Sequence, residues 1–517
     1  MTARRKPMPI GVDNFRRLIR KNYCFVDKTR FLKEIIDGHS EVTLITRPRR
    51  FGKTLTLSML RYFFTLEDAA ANRELFVGLD IEDAGEEYMR EQGSRPVVFL
   101  TIKDVRADNF AKMMTDIAEI LCNVYGQFAY LQESDKLSPQ EKKYFAEVLN
   151  RTASVERLKF ALANLLSMLN KHHGREAVLL LDEYDAPIIC AWERGYYREC
   201  IDFMRDFLSA ALKSNDALDF AVLTGVTRVS KESIFSGLNN LEVCGVLSSV
   251  YADIFGFTQE EAAELMTASG VGEKLPELKE WYDGYLFGDT EIYNPWSVIN
   301  FIKAGCKFKP YWLNTSGNGI LKDLLARIDE RKREDLAGLL RGKPIEARIQ
   351  ENIIYADIDS NRETLYMLLL TAGYLKAVRT WQDEYQDEWA SLQIPNWEIR
   401  RAFRDEILAN IVPRQGQIVL MDMLTAMREG KATDFAKYLS ELLRDFVSYH
   451  DSDHSPESFY HGLMLGFTVW LSDLYRVESN RESGYGRFDI AFFPLQQGSP
   501  GIILELKSVK NEAALEK

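Results

Sequence analysis

The residues with the strongest chemical signal lie near the amino terminus, at Lys53 and Thr54. They close the segment Arg47-Pro48-Arg49-Arg50-Phe51-Gly52-Lys53-Thr54. A turn ending in Gly-Lys-Thr at a helix start lets backbone N–H groups face phosphates, while the lysine reaches the β and γ oxygens and the hydroxyl holds Mg²⁺. The segment therefore predicts a phosphate-binding loop, although Arg47 replaces the usual first glycine. Its nucleotide-contacting candidates are Arg49, Arg50, Phe51, Gly52, Lys53, Thr54 and Leu55.

The same segment is strongly basic. Arg47, Arg49, Arg50 and Lys53 lie within seven residues. They indicate a phosphate partner, with a solvated basic face as the alternative.

A second set of candidates follows an apolar run. Residues 179–183 read Leu-Leu-Leu-Asp-Glu, the form of a strand that ends in two acids. Asp182 is expected to hold the water shell of Mg²⁺, and Glu183 to polarise the water that attacks the γ-phosphate. The alternative is that both acids only begin a polar loop. Thr224 ends the next apolar run, where a γ-phosphate sensor would lie, and Arg228 is predicted either to contact that phosphate or to be a surface arginine.

A third set of candidates lies near the carboxyl terminus. Residues two apart in a strand share a face, so Glu505 and Lys507 lie on one side while Leu504 faces the core. Asp489, on the preceding strand, is placed to share Mg²⁺ with Glu505, because carboxylates suit a hard ion that activates water. Lys507 would position the nucleophile or offset charge on the phosphate. An amphipathic hairpin with a charged outer face is the alternative.

The elements that position these residues alternate between strands and helices. Apolar, β-branched runs at 41–46, 97–102, 177–181 and 220–223 predict strands, and helical stretches separate them. This pattern indicates a mostly parallel α/β sheet covered on both faces. Beyond residue 257, a hairpin over 285–293 and a helix opened by Asn294-Pro295 suit a winged-helix unit. Residues 321–449 favour helices with few strand signals.

Size and composition limit the class of protein. A chain of 517 residues exceeds one ordinary core, and its 46% hydrophobic and 27% charged residues are typical of globular proteins. No apolar run approaches the roughly 18 residues of a membrane helix, so no membrane partner is expected. The six cysteines lack zinc-site spacing, and a cytoplasmic location is predicted. The net charge of −12 argues against a protein coated for non-specific nucleic-acid binding.

Several stretches carry a family resemblance. They are IGVDNFRRLIRKNYCFVDKTRFL, LITRPRRFGKTLTLSML, LLLDEYDAPI, LTGVTRVSKESIFSGLNNL, WYDGY, YNPWSVINF, GYLK and IPNWEIR. Over most of its length the chain resembles the bacterial AAA-ATPase-like family with a carboxyl-terminal PD-(D/E)XK nuclease domain. The resemblance implies an additional-strand P-loop core, with the Walker A strand beside the sensor strand, and it accounts for Arg47, where the family also has arginine.

The same resemblance adds three residues. It implies that the FVDKT element lies close to the nucleotide, which makes Asp27 and Lys28 candidates for nucleotide or domain contacts. It also makes Glu457 the helix acid of the nuclease motif. The alternative for Glu457 is a first-turn carboxylate that the helix dipole favours. Only seven residues follow Lys510, so the nuclease sheet is expected to be truncated.

These observations predict four segments. They are an AAA-like P-loop ATPase domain at 1–257, a helical lid or winged-helix-like domain at 258–320, a mainly helical connection at 321–450, and a PD-(D/E)XK nuclease-like domain at 451–517. The expected function is ATP hydrolysis with a Mg²⁺-dependent nuclease acting on DNA. The alternative is a nucleotide-switched interaction ATPase whose carboxyl-terminal domain is inert. ATP and Mg²⁺ are the expected cofactors, and a homo-oligomer stays an open possibility.

Overall fold

The structure is a computed structural model that describes most of the chain. The described residues are 6–229, 234–235, 240–312, 330–340, 342–350, 355, 358, 361–411, 414–446, 471, 474–483, 486–495 and 499–505. The chain divides into two compact units. The first contains Met1–Trp312 and Ala347–Ala390, and the second contains Leu313–Glu346 and Ser391–Lys517. The four segments predicted from the sequence are finer than this division and stay a prediction.

A five-stranded parallel sheet forms the centre of the first unit. Its strands are β1 (Val42–Thr46), β2 (Val97–Thr101), β3 (Ala177–Asp182), β4 (Leu218–Gly225) and β5 (Leu241–Cys244). Their order in the sheet is β2-β3-β4-β1-β5, and every neighbouring pair is parallel. Strand β4 is therefore inserted between β1 and β3. This confirms the expected additional-strand core, in which the strand before the phosphate loop lies beside the strand that ends near Thr224.

Continuous apolar runs explain most of this sheet. Every residue of β1 and of β3 is buried, as expected when helices cover both faces of parallel strands. The four predicted strands are present, with ends that differ from the predicted ones by a few residues at most. Strand β5 was missed, because its sequence Leu-Glu-Val-Cys is short, half-buried and interrupted by an acid.

Among the described residues, twelve helices of the first unit precede β1 or connect β1 to β4. They are α1 (Phe15–Arg20), α2 (Arg30–Gly38), α3 (Lys53–Phe64), α4 (Ala69–Arg73), α5 (Asp80–Asp83), α6 (Glu86–Met89), α7 (Phe110–Gln127), α8 (Pro139–Leu149), α9 (Val155–Leu158), α10 (Ala161–His173), α11 (Ala186–Arg194) and α12 (Tyr197–Leu212). Short 3₁₀ turns lie at Glu74–Phe76 and Ala129–Glu133. Helices α3, α7, α10 and α12 pack against the central sheet.

The segment after β5 has the predicted winged-helix-like elements. It contains α13 (Gln259–Ala268), a 3₁₀ turn at Gly272–Lys274, α14 (Leu275–Tyr282), a hairpin of β6 (Tyr285–Phe287) and β7 (Thr290–Ile292), and α15 (Pro295–Lys303). Asn294 caps α15 through its side chain, and Pro295 occupies the first helical position, as predicted. The core of this segment also packs against Cys24 and Val26, so the amino-terminal FVDKT region belongs to the same compact unit.

The region from 321 to 450 contains three strands that the sequence interpretation did not assign. Strands β8 (Ile345–Arg348), β9 (Lys376–Gln382) and β10 (Glu388–Gln393) form a sheet in the order β8-β10-β9. The overlooked signal is an alternation of buried small or apolar residues, such as Ala390 and Leu392, with more exposed neighbours. The charged residues in these segments made the period-two pattern difficult to recognise in the sequence. The helices of the region are α16 (Glu330–Leu340), α17 (Arg362–Thr371), α18 (Trp397–Ile411), α19 (Arg414–Arg428) and α20 (Ala432–Phe446).

A small antiparallel sheet lies near the carboxyl terminus. Strands β11 (Tyr475–Ser483), β12 (Gly486–Pro494) and β13 (Ile502–Leu504) pair in that order. The strand expected to carry Asp489 is present as β12 and pairs with the next predicted strand, β13, and β11 is an additional strand. Ile490 and Phe492 pack into one core with Leu420 and Leu442 of helices α19 and α20. Within the described ranges, no helix is long and apolar enough to cross a membrane.

Candidate functional site

The phosphate loop connects β1 to α3 and leaves the start of the helix open. Gly52 precedes the helix with φ of +92°, a left-handed conformation that favours glycine, and no side chain caps the helix. A Cβ on Gly52 would meet nothing within 4 Å, so its conformation and not crowding requires glycine there. The first N–H groups of a helix have no intrahelical acceptor. Those of Lys53, Thr54 and Leu55 can therefore receive an anion, which fits a phosphate group.

Lys53 lies beneath this loop. Its side chain is almost fully buried, and Nζ donates hydrogen bonds to the carbonyls of Arg47 and Pro48, each at 2.9 Å. Burial lowers the pKa of Lys53, while the negative charge of Glu183 and Asp182 acts in the opposite direction. The loop thus encloses one ammonium group close to the predicted metal ligand Asp182 and the predicted base Glu183.

Asp182, the last residue of β3, forms hydrogen bonds with residues of β2, of β4 and of the phosphate loop. Its carboxylate is fully buried, with Oδ2 accepting a 2.7 Å hydrogen bond from the Thr54 hydroxyl and Oδ1 accepting one of 2.7 Å from Thr224. Thr101, its register partner on β2, donates to Oδ2 at 3.4 Å. The structure therefore brings together the predicted residues Thr54, Asp182 and Thr224. Carboxylate and hydroxyl oxygens are a donor set that suits Mg²⁺.

Sequence reasoning missed Thr101. The available signal was its position as the last residue of β2, because the carboxyl ends of parallel strands meet at one edge of the sheet.

Glu183 lies directly after β3 in a left-handed conformation with φ of +53°. Such a φ is uncommon for a residue other than glycine, and strained backbone clusters at functional sites. The Glu183 N–H donates to the Thr224 hydroxyl at 3.4 Å. Burial raises the pKa of the Glu183 carboxyl, and the nearby Lys53 charge partly offsets that rise. This carboxyl therefore holds a proton more readily than an exposed glutamate, a property of residues that act as bases.

The Arg47 side chain points into the protein interior. A basic residue of a phosphate loop is expected to contact phosphate instead. The Arg47 guanidinium is fully buried and donates to the carbonyls of Cys244 at 2.8 Å and Gly245 at 2.7 Å, with longer bonds of 3.3 Å to Val250 and Tyr251. Burial lowers its pKa to about 10. The expectation of a phosphate partner does not hold for Arg47, because its two terminal guanidinium nitrogens donate to backbone carbonyls of β1, of β5 and of the turn after β5.

Arg49, Arg50 and Phe51 of the loop contact aromatic residues. The Arg50 guanidinium lies 4.4 Å from the ring centroid of Trp296, and the Arg49 carbonyl accepts a 3.0 Å hydrogen bond from the Trp312 indole. Phe51 is buried, and its ring packs against Tyr285 and Phe287 at centroid distances of 4.9 and 5.3 Å. We call the four contacting residues, Tyr285, Phe287, Trp296 and Trp312, the aromatic clasp. Since the Phe51 side chain is part of the core, only its backbone is available to a nucleotide.

The FVDKT element makes contacts away from the phosphate loop. Asp27 accepts hydrogen bonds from the N–H groups of Thr29 and Asp80, each at 2.8 Å. Lys28 forms a partly buried ion pair with Glu261 at 2.5 Å and donates to the Asp253 carbonyl at 2.6 Å. Of the two roles considered for Asp27 and Lys28, nucleotide contacts and domain contacts, these hydrogen bonds and this ion pair favour domain contacts.

Two of the nuclease candidates lie at the carboxyl-terminal sheet: Asp489 is in β12, and Glu505 directly follows the last residue of β13. The pairing of β12 with β13 ends at Ile490 opposite Leu504, and Asp489 and Glu505 are the residues next to this last pair on the two segments. Asp489 is half-buried and Glu505 is exposed. Lys507 and Glu457 lie outside the described residues.

Comparison with known proteins assigns both regions. Residues 9–235 match the family model described as "Predicted AAA-ATPase", and residues 455–517 match the PD-(D/E)XK nuclease superfamily. The chain therefore carries an AAA-ATPase-like domain and a PD-(D/E)XK nuclease superfamily domain. The AAA-ATPase-like match contains the phosphate loop, the acids after β3 and Arg228. The nuclease match contains Glu457, Asp489, Glu505 and Lys507.

One curated protein is similar over nearly the whole chain. It is described as an uncharacterized protein in the vnfD 5′ region of Azotobacter chroococcum mcd 1, and it is 26% identical over 499 residues. The alignment covers 94% of this chain and 87% of the relative. No solved structure matches the chain.

Proposed function

We propose that this protein binds and hydrolyses ATP with Mg²⁺ at the phosphate loop and cuts DNA with its PD-(D/E)XK nuclease domain. The observation that supports the ATP site best is the buried Asp182 carboxylate, which accepts the hydroxyls of both Thr54 and Thr224. A cytoplasmic location is part of the proposal, because all six cysteines are free thiols, the state that a reducing compartment maintains.

Each residue of the ATP site has a distinct role in this proposal. The N–H groups at the start of α3 bind the phosphates, and Lys53 exchanges its loop carbonyls for phosphate oxygens. Thr54 and Asp182 would hold Mg²⁺, which would supply positive charge to the phosphates. Glu183 accepts the proton of the attacking water, and its buried position favours that proton. Thr224 and Arg228 contact the γ-phosphate, and Arg49 and Arg50 line the loop.

The ATP site is tested by substitutions in the full-length chain. Lys53→Ala should abolish ATP binding and turnover, whereas Lys112→Ala, an exposed lysine on α7, should leave both unchanged. Glu183→Gln should retain ATP binding and slow hydrolysis, because it removes the base and keeps the shape. Unchanged turnover in Lys53→Ala would refute the assignment of the site, and a normal rate in Glu183→Gln would move the base elsewhere.

The nuclease proposal rests on Asp489 and Glu505, which are the residues next to the last pair of β12 and β13, Ile490 and Leu504. Two carboxylates at this end of the pairing suit a divalent cation that activates water against a phosphodiester. Linear, circular and single-stranded DNA incubated with Mg²⁺ or Mn²⁺ and ATP should be cut by the wild type and left intact by Asp489→Ala. Asp422→Ala, which changes an exposed acid on α19, is the matched control. If the wild type cuts none of these DNAs and Asp489→Ala changes nothing, the nuclease proposal fails.

A second candidate is a nucleotide-switched interaction protein with an inert carboxyl-terminal domain. The aromatic clasp favours this candidate, since residues of the segment 285–312 contact the phosphate loop directly. A change in the loop on ATP binding would therefore alter the conformation of this segment. ATP-dependent protection of this segment from proteolysis, together with intact DNA in the assay above, would support the switch. Equal protection with and without ATP would count against it.

A further inference from the structure

The turn that follows β4 is held by side chains from the segment after β3. Asp185 is buried, and its Oδ2 accepts hydrogen bonds from the N–H groups of Val226 at 2.9 Å and Thr227 at 2.8 Å, and from the Thr227 hydroxyl at 3.0 Å. Although Asp185 occupies the cap position of α11, it makes no capping bond to that helix. Its carboxylate is instead committed to the turn.

Tyr184 also binds this turn, and one of its contacts lies on the carboxyl-terminal side of Arg228. Its fully buried hydroxyl donates to the Thr227 carbonyl at 2.8 Å and accepts the Val229 N–H at 3.1 Å. Backbone groups on both sides of Arg228 are therefore bound by two consecutive side chains that follow the predicted metal acid and base. Buried backbone groups need such partners, so this turn depends on Tyr184 and Asp185 for its conformation.

Gly225 provides an independent indication that the two segments are closely fitted. A Cβ at this position would lie 2.8 Å from Asp185 Oδ1 and 2.8 Å from the Tyr184 ring, closer than real contacts allow. The Gly225 carbonyl also accepts the Arg47 N–H at 3.2 Å, which places the turn beside the start of the phosphate loop. Glycine is thus required here by close approach.

We propose that Tyr184 and Asp185 are positioning residues that hold Arg228 at the γ-phosphate. This deepens the proposed function and rests on it. In this arrangement the segment Asp-Glu-Tyr-Asp has two tasks. Its first two residues act on the ion and the attacking water, and its last two set the arginine that contacts the transferred phosphate. Holding a charged group in place before the reaction is a general source of rate enhancement. Small displacements of such a group lower the reaction rate strongly.

The test compares single and double variants of the full-length protein in ATP turnover. Tyr184→Phe removes only the hydroxyl that binds Thr227 and Val229, and we expect it to lower kcat about 10- to 100-fold with a smaller change in KM. Tyr125→Phe is the matched control, because Tyr125 is equally buried and its hydroxyl donates to the Ala161 carbonyl at 2.7 Å. It should lower thermal stability and leave kcat unchanged.

The decisive measurement is made in the Arg228→Ala background. If Tyr184 acts through Arg228, Tyr184→Phe should change kcat less than about twofold once the arginine is absent, since positioning residues and their targets are not additive. An equal loss of kcat in both backgrounds would overturn the proposal, as would a wild-type kcat in Tyr184→Phe. Gly225→Ala, which crowds both side chains without removing a polar group, should reproduce the loss if Tyr184→Phe does not fold. A wild type without ATP turnover would instead refute the proposed function itself.

Discussion

Gly373 lies more than 300 positions after the phosphate loop in the sequence, yet it contacts Pro48 within that loop. It has φ of +86°, and an added Cβ would lie 2.8 Å from Pro48 Cβ, 2.9 Å from Pro48 Cγ and 3.4 Å from the Tyr285 ring. The proline ring is rigid, so it cannot swing aside. We therefore expect Gly373→Ala to displace the phosphate loop.

The magnitude has two parts. The left-handed conformation costs an alanine about 1–2 kcal/mol, and overpacking a fitted contact costs about 1–3 kcal/mol. Gly373→Ala should thus lower the free energy of unfolding by about 2–5 kcal/mol. The loop must also move by several tenths of an ångström to restore an ordinary contact. We expect ATP affinity to fall about tenfold, equivalent to about 1.4 kcal/mol.

Gly305→Ala is a control that separates the cost of the left-handed conformation from the cost of overpacking. Gly305 has φ of +71°, but a Cβ there meets nothing within 4 Å. This control should lose only about 1–2 kcal/mol of stability and keep the wild-type ATP affinity. Urea unfolding and titration with a fluorescent ATP analogue measure the two quantities. Equal losses of stability and unchanged ATP affinity in both variants would refute the idea that Gly373 holds the loop.

Two further substitutions test other parts of the first unit. Arg47→Lys replaces a planar fork that binds several carbonyls by one ammonium, so we expect urea unfolding to show a loss of about 1–3 kcal/mol; an unchanged midpoint would mean that water satisfies those carbonyls. Burial raises the pKa of Asp283, so the native state binds more protons than the unfolded state between the two pKa values, and stability falls as pH rises through that window. Asp283→Asn lacks this loss, and its stability relative to the wild type should increase from pH 4 to pH 7; a constant difference in urea midpoints would contradict this.

Four of the five central strands and the residue types of the ATP site could be predicted from the sequence. Strands β1 and β3 are continuous apolar runs, and the loop and the acids that follow them have the residue order that phosphate and Mg²⁺ chemistry needs. The family resemblance implied that the strand before the phosphate loop lies beside the strand that ends near Thr224, and the residue types of Thr54, Asp182 and Thr224 predicted their roles at one nucleotide site. The weakly apolar strands β5 and β8 to β10 gave a poorer signal, since half-exposed strands carry mixed residues.

The partners of individual side chains could not be predicted, because they depend on tertiary contacts. Arg47 and Arg50 both belong to one basic run, yet one guanidinium is buried on backbone carbonyls and the other lies over Trp296. Asp185 continues the acidic run of Asp182, yet it binds the turn beside Arg228. These differences follow from contacts between residues far apart in the chain. Each side chain binds the buried backbone groups or the ring that the fold places beside it. No local pattern contains that information.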